Sequence, residues 1–226
     1  AAFADGDILF DWTSFGIPKG ACKLLGAHVE IRPKGNGNVD PNIFPLELLF
    51  AKSGNQSSPS TLGALNSAAL APTNITTQAG KFISHLPIVA ADFGDTDSLA
   101  LASALAPEGM VFEAEPNHVI TNSHLNKLYI GGIAGGDIDL TSLTRINAGD
   151  LDGPAFTVNG TDPRLHFAIG DTLFATASGS ATQQLSGTIE SMTDTNITMT
   201  SASVALSNTD FIYNNNPIRI LLTFEK

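Results

Sequence analysis

Short apolar stretches with a two-residue alternation recur along this chain, and turn-forming residues separate them. In KLLGAHVEIRP, the side chains of Leu25, Ala27, Val29 and Ile31 fall on one face of an extended strand. This period is typical of strands that bury one face. The following PKGNGNVDPN is dense in residues that end strands and form turns. The pattern therefore predicts an all-β fold of antiparallel strands.

Further strands are predicted at DILFDWTSF, IFPLELLFAKS, KFISHLPIVAADF, MVFEAEPNHVI and LNKLYIGGI. We expect KLLGAHVEIRP and IFPLELLFAKS to pair with each other through the loop that joins them. One short helix is expected in LALASALA, because Asp97 and Ser98 can cap its start and Pro107 follows its end. A helical turn is also expected within residues 61–70, inside a Ser-, Ala- and Asn-rich loop at 53–81.

The last quarter of the chain has three short strand patterns, GDTLFA, LSGTI and NITM, with the spacing of a small barrel. We assign residues 165–216 to this barrel. The final IRILLTFEK alternates and is too apolar for a dangling tail, so we expect it to return to the first sheet. The predicted fold is a jelly-roll-like antiparallel β-sandwich of residues 1–164, completed by residues 217–226, with the small β-barrel inserted near the C-terminus.

The charge of the chain argues against several classes of partner. Its 226 residues carry a formal net charge of −11, and the 11 Lys and Arg residues are scattered. Phosphate backbones and anionic membrane surfaces are bound by clustered positive charge, so we expect no nucleic acid and no membrane as a partner. Only 15% of the residues are charged, against roughly 25% in typical soluble domains. Such a neutral, polar surface suits a protein packed among copies of itself.

Cysteine and histidine give little sign of a chemical site. Cys22 is the one cysteine and cannot form an internal disulfide, and its strand-like flanks favour a buried structural thiol over a nucleophile. A zinc site needs about four ligands at fixed distances. The histidines do not show that spacing: His28, His85, His118, His124 and His166. We expect no metal at these residues.

Two acidic segments are similar to parts of calcium loops. Asp92, Asp95 and Asp97 lie in ADFGDTDS, and Asp150 and Asp152 lie in GDLDG. Neither segment has the bidentate glutamate that completes such a loop, and Asp is also a common turn former. Ordinary turns are therefore favoured, with Asp95 and Asp97 the first residues to test for a bound cation.

Patterns for catalysis are weak as well. Glu113 and Glu115 alternate on one strand face, as paired glycosidase carboxylates could, but a solvated strand end before Pro116 is favoured. The run GGIAGG at 131–136 lacks the order of a dinucleotide-binding loop and indicates a hinge or a tight strand crossing. We predict no catalytic, cofactor-binding or metal-binding residue and no enzymatic activity.

Two parts of the sequence resemble virion structural proteins of marine tailed bacteriophages. The first is DWTSFGIPKGACKLLGAHVEIRPKGNG followed by PLELLFAKS, and the second is GDTLFATASG with LSGTIESMTDTNITM. The second is similar to small β-barrel modules of phage head and tail proteins. Its matching residues are Gly170, Asp171, Leu173, Gly187, Thr188, Ile189, Ser191, Ile197 and Thr198. Met192 and Met199 stand where that pattern has aliphatic residues.

The resemblance implies a structural role at the virion surface, decorating or cementing the capsid, with the major capsid protein or other virion proteins as partners. We expect a homo-oligomer, with a trimer favoured, and the loop at 53–81 as its contact arm. The alternatives are a carbohydrate-binding β-sandwich module and a tail- or fibre-associated adhesin. Trp12 and two tyrosines offer few aromatic rings for stacking on sugars.

Overall fold

The computed structural model consists almost entirely of β-strands. It describes residues 2–31, 43–54, 57–63, 80–95, 100–107, 110–113, 126–139, 145–147, 154–159, 162–165, 167–176, 183–201, 210–214 and 218–226. The strands are β1 (Ala2–Phe3), β2 (Ile8–Gly16), β3 (Cys22–Ile31), β4 (Leu46–Ala51), β5 (Phe82–Ile88), β6 (Phe93–Asp95), β7 (Ala100–Leu105), β8 (Val111–Phe112), β9 (Lys127–Ala134), β10 (Ile138–Asp139), β11 (Arg145–Ile146), β12 (Ala155–Asn159), β13 (Thr172–Thr176), β14 (Gln183–Met192), β15 (Asn196–Met199), β16 (Phe211–Asn214) and β17 (Ile218–Glu225). Two 3₁₀ turns are formed by Ala90–Asp92 and Pro163–Leu165. Within these ranges, no helix is long and apolar enough to cross a membrane.

Two antiparallel sheets pack on each other as a sandwich. One has the strand order β2-β9-β4-β5, and the other has the order β17-β3-β7-β6, with β8 also on β3. The rings of Phe50 in β4 and Phe112 in β8 meet in the core at a centroid distance of 5.0 Å. Phe15 of β2 stacks on Phe224 of β17 at 6.1 Å. Strands β2 and β17 therefore lie across from each other at the same side of the sandwich.

The sandwich and the barrel bury separate cores. The sandwich core is mainly aliphatic and includes Leu24, Val29, Ile31, Leu46, Leu48 and Leu86. The barrel has the strand order β11-β12-β15-β14-β13-β16 and closes because β11 pairs with β16. Its core contains Ile146, Phe156, Leu173, Ile189, Ile197 and Ile212. The patterns GDTLFA, LSGTI and NITM correspond to the barrel strands β13, β14 and β15.

The barrel strands extend beyond the range assigned from sequence. They run from Arg145 to Asn214, so β11 and β12 belong to the barrel although they precede residue 165. β11 has only two residues, too few to show an alternation. β12 alternates, with Phe156 and Val158 buried, but it follows a Gly- and Asp-rich part of the chain. After the barrel, β17 pairs with β3 along its length, from Ile218 opposite Ile31 to Glu225 opposite Lys23.

The helix predicted at LALASALA is wrong, because Ala100–Leu105 forms strand β7 between β3 and β6. Alanine and leucine fit either period. In ALASAL, however, the alternation buries the three alanines and exposes Ser103 and Leu105. Pairing on both edges of β7 then overrides the helix propensity of these residues. The helical turn predicted within 61–70 is absent from residues 61–63, and residues 64–70 lie outside the described ranges.

The predicted pairing of KLLGAHVEIRP with IFPLELLFAKS is also wrong. β3 pairs with β17, β7 and β8, whereas β4 lies in the opposite sheet between β9 and β5. Each strand finds neighbours that are distant in sequence, which local alternation cannot indicate.

A β-bulge changes the predicted faces of β3. The face expected for Ala27, Val29 and Ile31 is buried as predicted. The pairing with β17 shifts register between Thr223 and Phe224, so Leu25 becomes an extra residue on β3 and its side chain is exposed. Leu24 takes the inward position instead.

Candidate functional site

A buried carboxylate lies where the barrel meets the strand that follows it. Asp171 directly precedes β13, and its Oδ1 accepts a hydrogen bond from Arg219 Nη2 at 2.9 Å. Its Oδ2 accepts from Asn214 Nδ2 and from the backbone N–H of Ala168, both at 2.8 Å. Asn214 ends β16 and Arg219 lies in β17. The carboxylate therefore joins β13, β16 and β17, which is the geometry of a structural link.

The Gly-Asp pair of the phage-like pattern forms the turn into β13. Gly170 has a φ of +90°, a conformation that favours glycine. Its N–H donates to the carbonyl of Ile189 at 2.8 Å, and the N–H of Ile189 donates to the carbonyl of Asp171 at 2.9 Å. In β14, a Cβ on Gly187 would collide with the methyl group of Met199. These pattern residues therefore serve the folding of the barrel.

The solvent side of β17, β3 and β7 carries exposed leucines, and we call it the outer face. Leu221 is 65% exposed and Leu105 is 89% exposed. Leu221 lies opposite His28, which lies opposite Ser103, so these three residues form one row across the sheet. His28 Nδ1 and Ser103 Oγ are 2.9 Å apart, within hydrogen-bond distance.

The outer face continues past this row toward β8. Thr223, Gly26 and Leu105 form the next row, in which the glycine leaves no side chain between its neighbours. Leu25 is partly exposed beside them, and Val111 of β8 is 56% exposed. Exposed apolar side chains that share one sheet surface can form a docking place when a partner covers them together.

The sandwich is open at the side where β17 and β2 lie. They are the edge strands of their sheets, and among the described strands each pairs along its length with one neighbour. At the other side, the 3₁₀ turn at Ala90–Asp92 connects β5 of one sheet to β6 of the other. The inward row of β17 is therefore only half-buried: Ile218, Ile220, Leu222 and Phe224.

The described start of the 53–81 loop is anchored on the sheet. Asp11 Oδ1 accepts from the N–H of Leu62 at 2.9 Å, and Leu62 is fully buried. Leu62 and the ring of Trp12 cover Gly131, where a Cβ would lie 2.6 Å from Leu62 Cδ1. Gly132 similarly makes room for the ring of Phe10. The first glycines of GGIAGG thus provide close packing inside β9. Of the two alternatives given for this run, this packing resembles the tight strand contact more than the hinge.

The candidate metal ligands do not come together in the described structure. His28 lies on β3 and His85 on β5, in different sheets, and the other three histidines lie outside the described ranges. Asp92 Oδ2 accepts from the N–H of Val89 at 2.9 Å, so this aspartate holds an ordinary turn. Asp95 ends β6, while Asp97, Asp150 and Asp152 fall outside the described residues. In the part of the chain that is described, no three His, Cys, Asp or Glu side chains could hold a metal ion.

Among the described residues, the other candidate chemical groups form no cluster. Glu113 is exposed just after β8, and Glu115 lies outside the described ranges. Cys22 is buried in the sandwich core, and this burial raises the pKa of its thiol above the ordinary value of 9.0. A buried thiol with a raised pKa is a poor nucleophile, because the thiolate is the reactive form.

No platform for sugar stacking occurs among the described side chains. Trp12 is half-buried and makes an edge contact with Phe82 at a centroid distance of 5.6 Å. Tyr129 is buried, and the phenylalanines whose side chains are described are buried or half-buried. Carbohydrate-binding faces need exposed rings. The structure therefore gives no observation in favour of the carbohydrate-binding alternative.

The outer face was missed by the sequence reasoning, although a signal for it exists. In IRILLTFE, Leu221 occupies the face opposite to Ile220 and Leu222, so both faces of this strand carry apolar residues. A strand with one solvated face ordinarily has polar residues there. An apolar residue on each face therefore indicates a second contact surface.

Comparison with protein-family models, with curated proteins and with solved structures finds no match to this chain. Its function must therefore be inferred from the described residues themselves.

Proposed function

We propose that this chain is a non-enzymatic structural protein of a tailed-phage particle, which sits on the virion surface and decorates or cements the capsid. The observation that carries the proposal is the outer face, where Leu105 and Leu221 are exposed to solvent on a surface of paired strands. Its partner in this proposal is the major capsid protein or another virion protein.

Physical reasons favour docking at this surface. Each exposed leucine that a partner covers contributes roughly 1.5–3 kcal/mol on full burial. His28 Nδ1 and Ser103 Oγ lie within hydrogen-bond distance of each other. A partner can therefore cover this pair at a lower cost, because these two atoms remain hydrogen-bonded to each other. The low charge of the chain reduces the cost of removing ions from water. We also propose that the sandwich is jelly-roll-like.

The alternative role, an adhesin associated with the tail or fibre, would also make the chain a part of the virus particle. It differs in the partner, because an adhesin binds a host receptor. No described residue favours that role over capsid decoration.

The test is binding of the purified chain to shells of the encoding phage that were assembled without it. We expect saturable co-sedimentation with these shells. Leu105→Lys places a charge on the outer face and is expected to weaken binding by about tenfold or more, since it removes apolar contact and buries an unpaired charge. Val89→Lys is the matched control, because Val89 is also exposed but lies beside the 3₁₀ turn at the closed side.

An absence of binding to such shells at any concentration would contradict the proposal. Equal binding by the Leu105→Lys and Val89→Lys variants would contradict the assignment of the outer face.

A further inference from the structure

We propose that the free edge of β17 pairs antiparallel with β17 of a second copy of this chain, about a two-fold axis near Leu222. This contact is made by the backbone edge of β17, whereas the outer face is the solvent side of β17, β3 and β7; the outward side chains of β17 border on both. It goes beyond the proposed particle function and does not depend on it.

The direction of the backbone groups in β3 follows from one hydrogen bond. The N–H of Ala106 donates to the carbonyl of Leu25 at 2.9 Å, which continues the ladder between β3 and β7 by one pair beyond Gly26 and Leu105. Directly opposite residues in an antiparallel pair alternate between bonded and non-bonded pairs. Gly26 and His28 therefore turn their backbone groups away from β7, toward β17.

The free edge of β17 is identified by the same alternation. Thr223 lies opposite Gly26 and Leu221 lies opposite His28, so these two residues of β17 bond to β3. The neighbouring positions Ile218, Ile220 and Leu222 direct their N–H and C=O groups to the open side. No described strand other than β3 pairs with β17. The edge thus offers a row of backbone donors and acceptors to an incoming strand.

This edge lacks several of the usual protections against strand pairing. β17 has eight residues and contains no proline, and the extra residue of the bulge lies on β3. The opposite edge of the same sheet, β6, has only three residues. Natural edges are commonly short, bulged, or interrupted by proline. A long, regular and apolar edge strand is expected to be covered in the working protein.

The sequence of β17 is complementary to itself in an antiparallel register. With Leu222 opposite Leu222 of the second copy, Ile220 lies opposite Phe224 and Leu221 lies opposite Thr223. Arg219 lies opposite Glu225, and the two-fold axis repeats this pair of opposite charges. Leu222 and Ile220 both belong to the free-edge positions, so the register also matches donors with acceptors.

The charges at the strand ends fit this arrangement. Arg219 is 52% exposed and uses Nη2 to bind Asp171. A guanidinium carries five N–H donors in a planar fork, so it can bind a second carboxylate. Glu225 is exposed at the other end of the strand. A two-fold pairing joins these ends, whereas a parallel pairing would bring like charges together.

Pairing would also complete the core at the open side. The inward residues of β17 are half-buried in one copy: Ile218, Ile220, Leu222 and Phe224. In the pair, the same row of the second copy lies beside them, and the two sheets become one continuous sheet. Because a two-fold contact produces a dimer, we expect a dimer in place of the trimer favoured from sequence.

Amide hydrogen exchange of the full-length chain tests the contact without any mutation. In the monomer at low concentration, the amides of Ile220 and Leu222 face solvent and exchange fast, whereas those of Leu221 and Thr223 are bonded to β3. At high concentration, we expect strong protection of Ile220 and Leu222, with little change at Leu221 and Thr223. If Ile220 and Leu222 exchange fast over roughly a hundredfold range of concentration, the proposal is wrong.

Sedimentation equilibrium of variants supplies the second test. Leu222→Pro removes the backbone N–H that points to the free edge, while the hydrogen bonds between β17 and β3 remain. Because of the two-fold axis, each dimer loses two such N–H donors. We expect it to weaken the dimer at least about tenfold more than Leu222→Ala, which removes the side chain but keeps the N–H. Both variants must retain the circular dichroism spectrum of the parent chain.

A charge variant keeps the test decisive if Leu222→Pro disturbs the fold. Glu225→Lys places a lysine opposite Arg219 of the second copy and is expected to weaken the dimer. Glu190→Lys makes the same charge change at an exposed position of the barrel strand β14 and is expected to leave the dimer unchanged. Equal effects of these two substitutions, or a parent chain that stays monomeric, would overturn the proposal.

Discussion

Asp171 links the barrel to strand β17 of the sandwich. Its buried carboxylate accepts hydrogen bonds from Ala168, Asn214 and Arg219. We expect Asp171→Ala to lower the free energy of unfolding by about 1–3 kcal/mol, because it leaves the part-buried donors of Ala168 and Asn214 without this acceptor. Chemical denaturation measures this loss. Asp194→Ala, at an exposed turn residue, is the control and should change stability by less than about 0.5 kcal/mol. Equal effects would show that Asp171 is not a structural link.

Cys22 gives a prediction for the dependence of stability on pH. Burial raises the pKa of its thiol in the folded chain, so the unfolded chain loses this proton first as the pH rises. The contribution of Cys22 to stability is fully present below the ordinary pKa of 9.0 and is lost as the pH rises through the folded value. We therefore expect the stability of the parent chain to fall more steeply than that of Cys22→Ala above pH ~9. Denaturation at a series of pH values measures both slopes, and parallel curves would contradict the prediction.

Among the strands, β3 and β7 approach each other closely at Gly26. A Cβ at this position would lie 2.6 Å from the carbonyl oxygen of Ala104, which belongs to the backbone and cannot easily move. We expect Gly26→Ala to lower the free energy of unfolding by about 1–3 kcal/mol. Gly94→Ala in β6 is the matched control, because its Cβ would meet the carbonyl oxygen of Leu101 at an ordinary 3.8 Å. Thermal unfolding compares the two, and a neutral Gly26→Ala would contradict the packing described for this pair of strands.

The sequence predicts individual strands well where one face is apolar and turn formers stand at both ends. β4 and the barrel strand β15 follow such patterns. The sequence locates β2 and β9 by their apolar content between turn formers, although their burial does not alternate. It fails for β7, where alanine and leucine satisfy both periods, and for β11, which has two residues. It also fails for the partners of β3, because pairing between distant strands depends on the packing of the whole sheet. The exposure of Leu25 depends on a bulge that only the pairing with β17 reveals.

On the scale of the whole molecule, the chain is a sandwich with an open side, an outer face that carries exposed leucines among polar residues, and a barrel linked to β17 by Asp171. The composition predicted a low-charge protein suited to assembly, and the sequence supplied candidate ligands and acids. The sequence alone does not reveal the outer face. Leu105 and Leu221 come to lie on the same side of the sheet only because β7 and β17 pair on either side of β3. Surfaces of this kind arise from topology.

If this chain is a component of a virus particle, as we propose, it will be present in purified particles. Quantitative mass spectrometry of gradient-purified particles from a lysate that contains the chain measures this, with the unassembled part of the lysate as the control. We expect the chain to follow the major capsid protein through the gradient at a fixed molar ratio. A chain that stays in the lysate and is absent from the particles would contradict the account.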